Sequence, residues 1–201
     1  MNSLDDIHEW ANHNKNISDF RQSVRASVRA LWQGNFTLFA FVDDMTLSIR
    51  RNLTQAWHRG AATCGLQPDE LSPNELQTLN NLINSQFPFL LGFGDDIESS
   101  QALGPLFQRA EVWINRYNES FEQGKAMACA DQKGKWIVGA TDHCRSCAGF
   151  NGRVYRFSKW ESNGALPRKR ALCCGGFNCD CTIEQTNDKI TPGPFPSSLL
   201  C

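Results

Sequence analysis

The sequence predicts an α+β chain, with a mainly α-helical N-terminal body over residues 1–134 and a small cysteine-rich α+β domain over 135–201. Three observations predict it. Apolar residues recur at helical spacing through the first two-thirds of the 201 residues. Short alternating runs and an Asn151-Gly152 turn signal follow. Six of the nine cysteines fall within residues 142–182. That stretch opens with Cys144-Arg145-Ser146-Cys147 and closes with Cys179-Asp180-Cys181.

Taken in order, Ser3 caps a short helix with Asp6 as a weak capping box, and Leu4, Ile7 and Trp10 form its apolar face. The polar run Asn12-His13-Asn14-Lys15-Asn16 is expected to break it. Ser18 starts a second helix with Phe20, Val24, Val28, Leu31 and Trp32 on one stripe. Arg21, Arg25 and Arg29 form a basic ridge on that helix, read as a wet face or a contact surface. Gly34-Asn35 ends it. A longer helix over 37–63 follows, with Leu38, Phe41, Val42, Met45, Ile49, Leu53, Ala56 and Trp57 facing inward. Gly65 stops it. Ser72-Pro73-Asn74-Glu75 is a strong helix start: serine caps, proline fits the first turn and glutamate reaches back. Residues 89–94 read as an apolar loop or broken helix. A last long helix begins near Pro105, and Gly124 either ends it or is passed over.

The pattern changes near Lys135. Trp136-Ile137-Val138 reads as a strand and residues 153–157 as the returning one, with a third short strand at Thr182-Ile183. The tail, from Thr191 through Pro196, is expected to run extended over the surface.

A region this small, with only short strands, needs a staple. A CxxC and a CxC can supply four thiolates to one tetrahedral ion. The expected ligands are Cys144, Cys147, Cys179 and Cys181. Cys174 is the alternative ligand and His143 a weaker one, and Zn2+ is the expected structural ion. Disulfides are the competing use of these cysteines. A thioredoxin-like redox pair requires a low-pKa cysteine at a helix start in a βαβ unit, a context not read here. Cys64 and Cys129 are read as small buried hydrophobes, and Cys201 as a free thiol. The histidines form no HExxH pattern and the glycines no phosphate loop. No catalytic residue is nominated.

Charge is unevenly placed. Residues 1–124 hold 9 Lys/Arg against 15 Asp/Glu, and residues 125–173 hold 10 against 3. The basic segment suits an anionic partner or is a solvated face. No apolar run is long enough to span a bilayer, so no membrane partner is expected. The polar, acidic N-terminus does not read as a signal peptide, which points to folding in a reducing cytosol.

The ordered signature is Arg109-Ala110-Glu111-Val112-Trp113-Ile114-Asn115-Arg116-Tyr117, Trp136, Cys144-x-x-Cys147, Gly152-Arg153-Val154-Tyr155, Trp160, Pro167, Leu172-x-Cys174-Gly175-Gly176 and Cys179-x-Cys181. Over residues 105–182 it resembles the Mu F-like head morphogenesis (minor head, minor capsid) proteins of tailed bacteriophages. Many members close with His-Pro-Asn-Cys-Arg-Cys, whereas this chain has Cys174-Gly175-Gly176-Phe177-Asn178-Cys179-Asp180-Cys181. The resemblance implies a non-enzymatic virion head protein, present in the host cytoplasm during assembly. Its implied partners are the portal protein, capsid or scaffold proteins, and DNA. A zinc-knuckle nucleic-acid-binding protein is the alternative, with Trp136, Tyr155, Phe157 and Trp160 stacking bases among the basic residues. The same rings can equally form the small domain's core.

Overall fold

A computed structural model describes residues 4–67, 71–100, 102–140, 142–176 and 179–201, with side chains from residue 12 onward. It comprises a helical N-terminal body, α1–α5, and a C-terminal α+β region with a small antiparallel sheet. By packing, the chain forms two compact units. The first is Met1–Asn52 with Leu82–Tyr117, the second Leu53–Asn81 with Asn118–Cys201.

In the first unit α1 runs unbroken from Leu4–Trp32. The asparagine run does not interrupt it, contrary to expectation. Asn16 Nδ2 donates back to the Asn12 carbonyl at 2.6 Å, and the His13 ring lies 5.4 Å from that of Tyr117. Burial of Phe20, Val24, Val28 and Leu31 outweighs the few tenths of a kcal/mol that each asparagine costs, roughly, in propensity. The Ser3–Asp6 cap and its apolar face lie outside the described side chains. The arginine ridge is engaged within this unit. Arg21 and Arg25 pair with Glu111 at 3.0 and 2.9 Å, and Arg25 and Arg29 sit over the Phe107 ring.

Gly34 ends α1 at φ +73°, a conformation glycine adopts without strain. α2 is Leu38–Ala62. The stretch read as a loop or broken helix is a 3-10 turn, Phe87–Phe89, followed directly by α4, Leu90–Ser99. Its glycines do not break it, and Gly94 is buried where a Cβ would strike Leu38 Cδ1. α5 is Leu103–Ala128 and passes through Gly124.

In the second unit the ends of α2 and α5 cross on two glycines. A Cβ on Gly60 would collide with the Phe121 carbonyl, and one on Gly124 with the Trp57 carbonyl. Ser120 Oγ also donates to the Leu53 carbonyl at 2.7 Å. α3, Pro73–Asn84, starts with the expected capping box: Ser72 N–H donates to Glu75 Oε2 at 2.8 Å, and Glu75 N–H to Ser72 Oγ at 3.3 Å.

The sheet has strand order β2-β1-β3, from β1 (Lys133–Ile137), β2 (Val154–Arg156) and β3 (Thr182–Gln185). β1 pairs antiparallel with both neighbours, Lys135 opposite Val154 and Trp136 opposite Ile183. Asn151-Gly152 makes the expected turn, with Gly152 at φ +75°. It is not a two-residue hairpin, because α6, Arg145–Phe150, lies between β1 and that turn. α7 is Phe157–Ser162. Trp136, Phe150, Phe157 and Trp160 are fully buried, and Trp160 Nε1 donates to the Gly134 carbonyl at 3.0 Å. The tail folds back. The Phe195 ring packs 5.1–5.6 Å from Tyr155, Trp160 and Phe150, and a 3-10 turn forms at Ser197–Leu199.

The glycine crossing is open to a direct test. Gly124→Ala should lower stability by about 1–3 kcal/mol through overpacking, measured by urea unfolding. Gly92→Ala is the control. An added carbon there meets nothing within 4 Å, so stability should hold or rise by up to about 1 kcal/mol from helix propensity.

Candidate metal centre

Three local features bring the thiols together. Cys144 is the N-cap of α6, which puts Cys147 one turn into that helix, buried. Cys179 and Cys181 lie immediately before β3, so pairing of β3 with β1 carries them to the same place. The loop before them turns tightly, with Gly175 and Gly176 at φ +61° and +80°. A Cβ on Gly176 would strike the Arg168 carbonyl, so only glycine permits that approach. Phe177 and Asn178, between this turn and Cys179, lie outside the described residues.

Two thiol triads result, Cys144/Cys147/Cys174 and Cys147/Cys179/Cys181. Within each, the sulfurs lie within 4.8 Å of one another. Cys147 belongs to both, 3.5 Å from Cys144 Sγ and 3.9 Å from Cys179 Sγ. With thiolate bonds of about 2.3 Å, a tetrahedral centre has sulfur–sulfur edges of about 3.8 Å. The observed separations suit that geometry, and these triads can hold a metal ion. All four expected ligands and Cys174 therefore gather around Cys147.

The protons in this cluster are unequally held. Cys179 is pushed down to about 2, chiefly by hydrogen bonds from the Cys147 and Cys181 thiols, helped by the backbone N–H of Arg168. Cys147 is pushed up by its bonds to Cys179 and Cys181 and by burial. Cys181 rises to about 11. Its bond with Cys147 opposes the rise, and the bond with Cys179 together with burial outweighs it. Burial raises Cys174. For Cys144 burial also acts upward, but its hydrogen bonding with Cys147 and Cys174 prevails and lowers it. Cys179 is thus the site's ready thiolate.

Two expectations about cysteines are corrected. Cys64 and Cys129 form a disulfide, with Cα atoms 5.5 Å apart. Cys201 is not free, because it is bonded to Cys173 across a Cα separation of 5.0 Å. Chain order hides both pairs, since 65 and 28 residues separate the partners. In the chain-entropy model such closures contribute about 4 and about 3.5 kcal/mol. The CxxC does sit at a helix start, which was not read from the sequence, but in an antiparallel sheet rather than a βαβ unit.

The basic loop also differs from a free surface patch. Arg168 is half-buried at φ +67°. Burial lowers its guanidinium from the usual value, opposed by nearby Cys179, Glu122, Asp180 and Cys181. Lys169 pairs with Glu119 at 3.3 Å. Of the triplet 168–170, Arg170 alone is exposed.

Non-reducing peptide mapping should find Cys64–Cys129 and Cys173–Cys201 linked and the other five cysteines alkylated only after chelation. Ion affinity should keep rising with pH toward about 11, because binding expels the protons that Cys147 and Cys181 hold. Calorimetry in buffers of different ionisation enthalpy should count fewer than four protons released by a four-thiolate set, because Cys179 has already lost its own.

No protein-family model, curated protein or solved structure matches this chain.

Proposed function

We propose that this chain is a non-enzymatic minor head protein of a tailed bacteriophage, acting at the portal vertex in head assembly and DNA packaging. Its cysteine region is stapled by one structural Zn2+. Cys144, Cys147, Cys179 and Cys181 are the ligands, with Cys174 as the alternative. The observation that carries the zinc reading is the meeting of CxxC and CxC at Cys147, with sulfur separations suited to tetrahedral thiolate coordination.

The head role rests on the ordered motif over residues 105–182. Its members have structural work in the folded chain. Trp136, Tyr155, Trp160, Pro167 and Leu172 are buried, and Gly152, Gly175 and Gly176 make turns. A motif built from core and turn positions specifies a fold rather than a reaction centre, which suits an assembly protein. Burial of Trp136, Tyr155, Phe157 and Trp160 weighs against their stacking on bases. In the first unit Phe39, Leu47 and Phe89 are 77%, 68% and 66% exposed, and these side chains are the proposed portal contact.

Deleting the gene from the phage should give malformed or empty heads, seen by electron microscopy. The tagged chain should co-purify with the portal protein, at far lower copy than the capsid protein. Phe39→Glu combined with Phe89→Glu should abolish that association and leave the fold intact by circular dichroism. Normal, DNA-filled, infectious heads without this chain refute the role. Cys144→Ser or Cys179→Ser should lose the zinc and loosen the C-terminal region to proteolysis.

A further inference from the structure

Beside the thiol cluster, His143, Asp180 and Cys181 bring a nitrogen, an oxygen and a sulfur donor within 4.8 Å of one another. His143 comes from the loop after β1, Asp180 and Cys181 from the approach to β3. The loop is held against them by its backbone. Ala140 N–H donates to Asp180 Oδ2 at 2.8 Å. A Cβ on Gly139 would collide with the Asp180 carboxyl group, so only glycine permits the contact.

The histidine tautomer follows from its partner. His143 Nε2 lies 3.1 Å from the Gly139 carbonyl oxygen. A carbonyl only accepts, so Nε2 carries the proton and Nδ1 keeps its lone pair. A ring N–H donated to a backbone carbonyl is the support that metal-bound histidines have, and ligating carboxylates are likewise hydrogen-bonded. Here both supports are in place.

We propose that His143, Asp180 and Cys181 form a second metal site for a borderline divalent ion of the Zn2+ type. Its three mixed donors leave a fourth position to water, unlike the closed all-thiolate site. The inference rests on the zinc reading above and sharpens it. When Cys181 serves the second ion, the triad Cys144, Cys147 and Cys174 remains for the first, with Cys179, 3.9 Å from Cys147, as its fourth thiol. A fifth cysteine, superfluous at a single centre, then has a use. With an exchangeable water and only one sulfur, the second ion should leave first to a weak chelator.

The test is metal content of the full chain purified with Zn2+ present, read by mass spectrometry. Wild type should hold about two zinc ions, falling to about one in His143→Ala and in Asp180→Asn. Gly139→Ala keeps all three donors and displaces the carboxylate, so it should weaken the second ion alone. With Co2+ as probe, His143→Ala should lose part of the d–d absorption and retain the thiolate charge-transfer band. A content of about one ion that neither His143→Ala nor Asp180→Asn changes overturns the second site and leaves the first standing. A folded wild-type chain that holds no metal overturns both.

Discussion

The sulfur of Cys147 is the point on which the C-terminal region depends. It is buried in the first turn of α6 and belongs to both thiol triads. One triad ties α6 to the loop carrying Cys174, and the other ties it to the segment entering β3. Five thiols crowd together there and hold their protons unequally. Hydrogen bonds from its neighbours push Cys179 down, while hydrogen bonding within the cluster and burial push Cys147 and Cys181 up. A thiolate buried in such a cluster is costly without a positive partner, so the cluster is well matched to a cation that accepts thiolates.

The remaining cohesion of this region is aromatic and covalent. Trp136, Phe150, Tyr155, Trp160 and Phe195 pack with ring centroids 5.0–5.6 Å apart in tilted and edge-on pairs, arrangements that aromatic quadrupoles favour. Phe195 comes from the tail, whose position is secured twice. Ser146 Oγ donates to the Leu199 carbonyl at 2.5 Å, and Cys201 is bonded to Cys173. Ser146 lies between the two α6 cysteines, so the helix that presents the thiols also anchors the tail.

The end of α5 meets this region through polar groups. Lys125 Nζ donates to the Ile183 carbonyl at 2.6 Å, and Thr182 Oγ1 donates to Glu122 at 3.1 Å. Burial raises the Glu122 carboxyl above its usual value, against the pull of Lys125 and Arg168. The excess basic charge of residues 125–173 is thus partly consumed internally, by Glu119, Glu122 and the thiol cluster. Partly buried cations beside thiols favour the thiolate form, which again serves a bound cation.

Local rules were enough to read several parts of the chain. The capping box at Ser72 and Glu75, the apolar stripe of α2, the glycine stop after α1 and the existence of three short strands all follow from neighbours in sequence, but the strand bounds do not: β1 ends before Val138, and Phe157 starts α7 instead of ending β2. Such features are set by the backbone and by period. The approximate site was also legible, because CxxC and CxC spacing restricts where a metal can sit. Partner choice was not legible, because it depends on what distant segments bring together. The Cys64–Cys129 and Cys173–Cys201 pairs need closures of 65 and 28 residues. His143 acquires Asp180 and Cys181 only when β3 docks on β1. Asn12 through Asn16 stay helical because the buried face of α1 outweighs asparagine's weak preference for turns. Gly94 and Gly124 stand inside helices because a neighbouring side chain or backbone takes the space that a Cβ would need. Their own propensity says the opposite, and tertiary contact overrides it.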